Sequence, residues 1–226
     1  MANNDDYKPK DFLSYTDYGF TYPKPGIQPI KGLIAHAIVD EDEDGTMTGG
    51  ERGDQMGYEL NATKWYSYPW IKVYRPMREV LTESGEVSLE RDKEKAEIMA
   101  TFMERAVSNG FIGYDQNSRT RWVFFSRCLE NDFDPRMIDS NVSCDCSSLV
   151  FTAVYAAYKV ARDELDWNDM DKPGEGPLYG IPKAGLDDYV EKLGFEIHEE
   201  TEFVDSQDNL LRGDLLRGSD HWAMYI

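Results

Sequence analysis

One cysteine stands where the sequence could make a reactive thiol. Cys146 precedes an apolar segment in which hydrophobic residues recur at helical spacing from Leu149 to Ala161. The hydroxyls of Ser147 and Ser148 favour a helix start over a helix interior. A thiol at that position meets unpaired backbone N–H groups and the positive end of the helix dipole, which favour the thiolate. The alternative is that Cys146 is a small buried hydrophobe, a common fate for free cysteine.

A cysteine nucleophile needs a base, and the sequence contains three histidines. His221 opens the alternating run HWAMYI directly after a Gly-Ser-Asp turn, so a strand start would hold its imidazole rigidly. His36 lies inside an apolar run, which favours a satisfied core residue. His198 is surrounded by glutamates, which favours a solvated side chain. We therefore expect His221 to act as the general base for Cys146.

An acidic segment, DEDEDGTMTGGE, fits the pattern of a calcium-binding loop. Its carboxylates stand at the first, third, fifth and twelfth positions, and a glycine stands at the sixth: Asp40, Asp42, Asp44 and Glu51, with Gly45. A calcium hand needs a helix on each side, whereas here an apolar β-type run precedes the loop and glycines follow it. The alternative is a solvated acidic hairpin tip. We therefore expect this loop to fold without calcium.

The hydrophobic pattern predicts a mixture of helices and strands around these residues. The predicted strands are 32–39, 195–198, 213–216 and 221–226. The predicted helices are 88–110, capped by Ser88 and ended by Gly110, the segment that follows Cys146, and 183–193, closed by Gly194. Residues 111–141 show no sustained period and are predicted to be a connecting segment. The aromatic stretch 65–74 either packs on the core or forms a groove wall.

Composition and charge exclude several classes of protein. A hydrophobic content of 41% in 226 residues supports a packed globular protein. The net charge of −19 excludes nucleic acid as a partner, because a phosphate backbone would be repelled. No apolar run is long enough for a membrane span. The polar N-terminus, MANNDDYKPKDF, lacks the apolar core of a signal peptide, so we expect synthesis in the cytoplasm without one.

The cysteines indicate neither a disulfide framework nor a metal site. Cys128, Cys144 and Cys146 are an odd set without four-ligand metal spacing. Cys144 and Cys146 are too close in sequence for an ordinary disulfide. A cysteine nucleophile with a histidine base, as suggested above for Cys146 and His221, also needs no cofactor.

Five stretches of the sequence resemble a known enzyme family. DCSSLV, followed much later by RGDLLRGSDHWAMYI, resembles the NlpC-type and CHAP-type cell-wall cysteine peptidases. GGERGDQMGYEL, WYSYPW and GYDQNSR resemble the branch found in phage and prophage lysins. The resemblance implies an α+β, papain-like fold, in which a helix carrying Cys146 packs on an antiparallel sheet carrying His221. This papain-like cysteine hydrolase domain would span residues 31–226, after an extended N-terminal arm at 1–30.

The resemblance also implies a function. It is that of a peptidoglycan hydrolase that cleaves an amide bond in the stem peptide or cross-bridge through a cysteine acyl-enzyme. Its partners would be bacterial peptidoglycan and, for a virion-associated lysin, other phage virion proteins. It would act at the cell wall after release through a lysis pore or as part of a virion. The alternatives are a non-catalytic structural or wall-binding tail component that retains the fold, and an N-acetylmuramoyl-alanine amidase that uses the same dyad.

The family's roles carry over to particular residues of this sequence. Cys146 aligns with the nucleophile and His221 with the general base. The resemblance places Asp145 and Ser147 along the peptide groove. It places Tyr114 in the oxyanion region, where Gln116 and Gln55 are alternative donors.

The resemblance implies a third polar residue that orients the catalytic histidine. In the family this residue lies on the strand after the histidine strand, and the present sequence stops at Ile226, before such a strand. We therefore expect either that the natural polypeptide continues by at least one more strand or that the orienting group comes from elsewhere. Within the sequence, Gln55, Asp54 and Glu59 are the first candidates.

Overall fold

The computed structural model describes residues 32–37, 60–65, 68–116, 118–160 and 183–226, and within them it is a mixed α/β fold. The strands are β1 (Leu33–Ala37), β2 (Leu60–Lys64), β3 (Trp70–Arg75), β4 (Met77–Leu81), β5 (Val87–Arg91), β6 (Ile112–Tyr114), β7 (Val142–Cys144), β8 (Glu196–His198), β9 (Leu215–Gly218) and β10 (Trp222–Tyr225). The helices are α1 (Lys93–Val107), α2 (Ser118–Glu130), α3 (Cys146–Val160), α4 (Lys183–Lys192) and α5 (Thr201–Val204). A 3₁₀ turn spans Pro135–Met137.

The main sheet is antiparallel throughout and has the order β2-β1-β10-β9-β3-β8. The strand that is last in sequence, β10, therefore lies inside the sheet between β1 and β9. Strands β4 and β5 form a separate hairpin, and β6 pairs with β7 in parallel. Helix α3 packs on β1 and β10.

The core is divided between the two faces of the main sheet. Alternation along β10 directs Trp222 and Met224 into a large cluster shared with α1 and α3. Ala223 and Tyr225 belong to a second, smaller cluster on the other face. Helix α3 is buried almost along its whole length, because its sequence is apolar on every side. This burial fixes the position of Cys146 relative to the sheet.

The first helix begins later than its sequence pattern predicts. Ser88, the predicted cap, lies on β5, whose residues pair with β4. Asp92 caps α1 instead, and its carboxylate accepts a hydrogen bond from the Lys95 N–H at 3.0 Å. The helix ends at Val107 with Ser108 as its C-cap, before Gly110. The first residues of the predicted helix, from Ser88 to Arg91, therefore belong to the second strand of a hairpin, and the helix begins only at Lys93.

The segment predicted to be a connection contains a helix, α2. Phe124, Phe125 and Cys128 are buried and lie on one side of it. The helical spacing of apolar residues is hard to recognise in the sequence, because Val123 and Leu129 place apolar side chains on the exposed face as well. The same segment also contains β6, before this helix, and the residues that lead from the helix to β7.

The remaining predicted elements agree with the structure except for one boundary. Strands β1, β8 and β10 and helix α4 form where expected, and Gly194 after α4 has a φ of +78°. Strand β9 begins at Leu215 and not at Gly213, because Gly213 adopts a φ of +89°, which a strand does not accommodate. The predicted N-terminal arm at 1–30 and the calcium loop with Asp40, Asp42, Asp44 and Glu51 lie outside the described residues.

Candidate active site

Cys146 is the first residue of α3, and the residues around it form a reciprocal cap. The Asp145 carboxylate accepts hydrogen bonds from the Ser148 N–H at 2.7 Å and from the Ser147 hydroxyl at 2.9 Å. In return, the Asp145 N–H donates to the Ser148 hydroxyl at 2.9 Å. This is the capping-box arrangement, with serine where glutamate or glutamine usually stands. It fixes the thiol-bearing residue at the positive end of the helix dipole.

An arginine from α2 holds the same cap from outside. Arg121 Nη2 lies 2.5 Å from Asp145 Oδ2, and the two side chains are only 15% and 5% exposed. An ion pair this buried attracts strongly but also carries a large desolvation penalty, so its geometry matters. The pair ties α2 to the start of α3. Arg121 was not recognised in the sequence, since nothing in the spacing links it to Asp145.

Tyr114 lies beside the start of α3 because β6 pairs with β7. Tyr114 is the register partner of Cys144, and the Asp115 N–H donates to the Cys144 carbonyl at 2.9 Å. Burial raises the pKa of the Tyr114 hydroxyl well above its ordinary value, and the negative charge of nearby Cys146 adds to this rise. Tyr114 therefore stays protonated and can act as a hydrogen-bond donor.

Gln116 lies next to Tyr114 and is solvent-exposed. Its side-chain amide donates to the Tyr114 hydroxyl oxygen at 2.6 Å. Because the phenol oxygen accepts this bond, the phenol can donate its own hydrogen in another direction. The two residues of the predicted oxyanion region thus act as a connected pair. Gln55, the third predicted donor, lies outside the described residues.

All three cysteines are buried, but Cys146 is 5% exposed and begins a helix, whereas the other two do neither. Cys128 on α2 and Cys144 on β7 are fully buried, and burial raises the pKa of both thiols well above the ordinary value. Nearby carboxylates and thiols add to the effect through repulsion of a thiolate. Neither residue occupies a helix start. Cys128 and Cys144 are therefore packed as small hydrophobes.

His221 precedes β10 at the end of a tight turn. The Gly218 N–H donates to the His221 carbonyl at 2.8 Å, which closes the turn predicted from Gly-Ser-Asp. The imidazole packs edge-on to the Tyr68 ring, with centroids 5.7 Å apart, and lies near Trp70. The Tyr68 hydroxyl donates to Asp220 at 2.5 Å, so the same side chain holds both the turn and the ring. His221 is almost completely buried.

His36 on β1 contacts His221 directly. Its Nδ1 lies 3.1 Å from His221 Nε2, and the two ring centroids are 5.3 Å apart in an edge-on arrangement. The sequence predicted that His36 is a core residue, and it is buried as expected. Its pairing with His221 was missed, because the two residues are 185 positions apart. The third histidine, His198, stacks on Phe203 with ring centroids 3.9 Å apart and is less solvated than predicted.

The end of β10 and the end of α3 both lie near the start of α1. The Gly213 N–H donates to the Tyr225 carbonyl, and Gly213 lies against Ala96 in the first turn of α1. Lys95, the residue before Ala96, places its ammonium 4.7 Å from the Tyr158 ring near the end of α3. Helix α3 and strand β10 thus both finish beside the start of α1.

The surroundings of Cys146 and His221 differ. Cys146 belongs to the large cluster beneath the helices. The His221 ring contacts Tyr68 and Trp70, which belong to or pack against the second cluster on the other face. The structure therefore brings Asp145, Ser147 and Tyr114 to Cys146, and it brings His36 to His221. The transfer of a proton between Cys146 and His221 stays a prediction.

The described part of the chain offers no metal site and no membrane span. It contains no group of three or more histidine, cysteine, aspartate or glutamate side chains that could hold a metal ion. Its helices are each too short or too polar to cross a bilayer.

The chain was compared with known protein families, curated proteins and solved structures. A family model described as "Endolysin-like domain" matches residues 34–226. The matched stretch covers most of the chain and includes all the residues placed around Cys146 and His221 above. No curated protein and no solved structure matches the chain.

Proposed function

Since the chain belongs to the endolysin-like domain family, we propose that it hydrolyses an amide bond of bacterial peptidoglycan through a cysteine acyl-enzyme. The observation that carries this proposal is the capped helix start at Cys146. A helix with an N-terminal cysteine on an antiparallel sheet is also the basis for proposing a papain-like fold. The chain would act at the cell wall, after release through a lysis pore or as part of a virion.

The proposed reaction begins with proton transfer from Cys146 Sγ to His221. The thiolate attacks the amide carbonyl carbon, and the oxyanion that forms accepts hydrogen bonds from the Cys146 backbone N–H and the Tyr114 hydroxyl. The C–N bond breaks, and His221 returns the proton to the amine that leaves. Water then attacks the thioester and His221 takes its proton. The C–S bond breaks, a carboxylic acid is released, and the thiolate takes the proton back from His221 to restore the thiol.

The positions of the thiol and the imidazole limit where the two groups can meet. The helix-covered face of β10 carries Trp222 and Met224, whereas the His221 ring lies with Tyr68 and Trp70. The two reacting groups therefore have to meet beyond the end of the sheet and not between helix and sheet. A peptide bound there would lie across this end.

The neighbours of Cys146 divide into two roles in this proposal. Asp145 and Ser147 are buried, and their hydrogen bonds are made within the helix start, so we assign them the task of holding Cys146 in place beside the groove. Gln116 is exposed and reaches the Tyr114 hydroxyl, so it is suited to contact the substrate and to orient the phenol.

Digestion of purified peptidoglycan tests the proposal. The unmodified chain is expected to release fragments with new amino and carboxyl termini, and mass spectrometry identifies the bond. Cleavage within the stem peptide or cross-bridge supports a peptidase, whereas cleavage at the sugar-peptide junction supports the alternative amidase. Cys146→Ser is expected to abolish release, whereas His198→Gln, away from the proposed site, is expected to retain it.

Two results would contradict the proposal. One is release of fragments by Cys146→Ser at the rate of the unmodified chain. The other is failure of the unmodified chain to cleave, combined with a Cys146 thiol that reacts no faster with iodoacetamide than a free cysteine. The second result would favour a non-catalytic wall-binding or tail component that retains the fold.

A further inference from the structure

We infer that His36 is the positioning residue of the active site and that it fixes which nitrogen of His221 serves as the base. This inference rests on the proposed function of Cys146 and His221. It differs from the family pattern, in which the orienting group lies on the strand that follows the histidine strand. Here the orienting group would come from β1, which precedes the nucleophile by more than a hundred residues in sequence.

The imidazoles of His36 and His221 are in direct contact. His36 Nδ1 and His221 Nε2 are 3.1 Å apart, within hydrogen-bond distance. Each side chain is only 2% exposed. Of two neutral imidazole nitrogens in such a contact, one donates its proton and the other accepts. The His221 Nε2 is therefore occupied by His36, and Nδ1 is the nitrogen that would receive a proton from Cys146.

The direction of this hydrogen bond follows from the reaction. A general base must present an unprotonated nitrogen, so neutral His221 carries its proton on Nε2 and donates it to His36 Nδ1. His36 then carries its own proton on its Nε2. When His221 becomes an imidazolium, the same hydrogen bond to His36 becomes charge-assisted and therefore stronger. His36 thus stabilises the charged state that forms when Cys146 loses its proton.

The fold explains why β1 can supply this group. Ile34 is the register partner of Tyr225 and Ala35 of Met224. The pairing direction places His36 near the start of β10, and alternation places it on the same face as Ile34. Tyr68 packs against the His221 ring on that face as well. The imidazole is thus held by a hydrogen bond from one strand and by an aromatic ring from the segment before β3.

Substitutions at His36 give the kinetic test. His36→Leu removes the acceptor, whereas His36→Asn retains a side-chain oxygen that accepts a hydrogen bond. We expect peptidoglycan hydrolysis to fall about 10- to 100-fold in His36→Leu, the range found when a residue that orients a ligating histidine is removed. We expect His36→Asn to recover much of this loss. The rate of Cys146 alkylation against pH should shift towards that of an ordinary thiol in His36→Leu only, and His198→Gln should match the unmodified chain.

Nuclear magnetic resonance of the unmodified chain gives a test that does not depend on variants folding. Long-range ¹H–¹⁵N spectra of histidine-labelled protein report which ring nitrogen carries the proton. We expect Nε2–H in both His36 and His221 when both are neutral. A neutral His221 with its proton on Nδ1 would overturn the inference.

The outcomes separate this inference from the function on which it rests. If Cys146→Ser still hydrolyses peptidoglycan, the proposed function fails. If Cys146 is essential but His36→Leu folds and keeps the unmodified rate and alkylation profile, only the role of His36 fails. Loss of activity in His36→Leu without recovery in His36→Asn, together with an unshifted alkylation profile, would also reject it and leave a packing role.

Discussion

Replacing Asp145 with asparagine tests whether the helix start is held by charge as well as by hydrogen bonds. Asparagine keeps a side-chain oxygen that accepts from the Ser148 N–H, so the cap survives, but it removes the partner of Arg121. The Arg121 guanidinium is then left buried beside a neutral group. Breaking a buried ion pair from one side typically costs about 3–5 kcal/mol. Because Arg121 keeps some exposure, we expect a loss near the lower end, about 3 kcal/mol in the free energy of unfolding.

Asp145→Ala and a double variant refine this expectation. Alanine also removes the cap, so its loss should exceed that of asparagine by about 1 kcal/mol. Replacing Arg121 with methionine in the Asp145→Asn background removes the guanidinium that has lost its carboxylate, and we expect it to restore about half of the lost stability or more. A surface pair on α2 provides the control. The Arg127 and Glu130 side chains are 51% and 60% exposed, so Glu130→Gln should lower stability by less than about 1 kcal/mol.

Urea unfolding followed by tryptophan fluorescence measures these differences. An Asp145→Asn variant no less stable than Glu130→Gln would refute the assignment of a stabilising ion pair. Simple addition of the Arg121→Met and Asp145→Asn effects would refute it as well, because groups in direct contact should couple.

Four other predictions concern the thiols, the backbone and the wall. Limited iodoacetamide treatment should label Cys146 before Cys128 and Cys144, because burial raises the pKa of those two thiols and excludes the reagent; mass spectrometry showing Cys128 or Cys144 labelled first would contradict this. Because these pKa values are raised in the folded chain, the unfolded chain loses the two thiol protons at lower pH than the folded chain does. The free energy of unfolding should therefore fall as pH rises above about 8.5, and this fall should be smaller in Cys128→Ala. Gly213→Ala should lower stability in urea unfolding more than Gly194→Ala does. Both glycines have a positive φ, so alanine is strained at either position. A Cβ at Gly213 would also lie 2.6 Å from the Ala96 carbonyl oxygen, whereas a Cβ at Gly194 would have no atom within 4 Å. Binding to purified cell walls that carry anionic polymers should be weak at low salt and should strengthen as salt screens the net charge of −19, and tight binding at low salt in a sedimentation assay would contradict this.

The helix start at Cys146 was predictable because its signals are local. An apolar run at helical spacing after Asp-Cys-Ser-Ser contains both the helix and the groups that cap it, within four residues of the thiol. The strand at β10 was predictable for the same reason, since HWAMYI alternates and follows a turn sequence. Helix α2 was not predictable, because its exposed valine and leucine hide the buried face.

The partners of the site residues could not be read from spacing. Arg121 reaches Asp145 only because α2 packs beside the start of α3, and His36 reaches His221 only because β1 pairs with β10. In a sequence, a histidine can be judged only by its neighbours along the chain. By that measure His36 is a core residue in an apolar strand, and its burial is consistent with that description even though it also contacts His221.

The position of β10 inside the sheet has a consequence for how the protein folds. Strands β1 and β10 pair although they lie near opposite ends of the described chain, and His36 and His221 are 185 positions apart. Contacts so distant in sequence form slowly, because closing a long loop is entropically unfavourable. The helices can form earlier from local contacts, so the capped start of α3 can exist before the two imidazoles meet. During synthesis, β10 emerges from the ribosome well after α3. If Cys146 and His221 act together as proposed, a partly made or partly folded chain would carry the thiol without its proposed base, and hydrolysis would begin only once the sheet is complete.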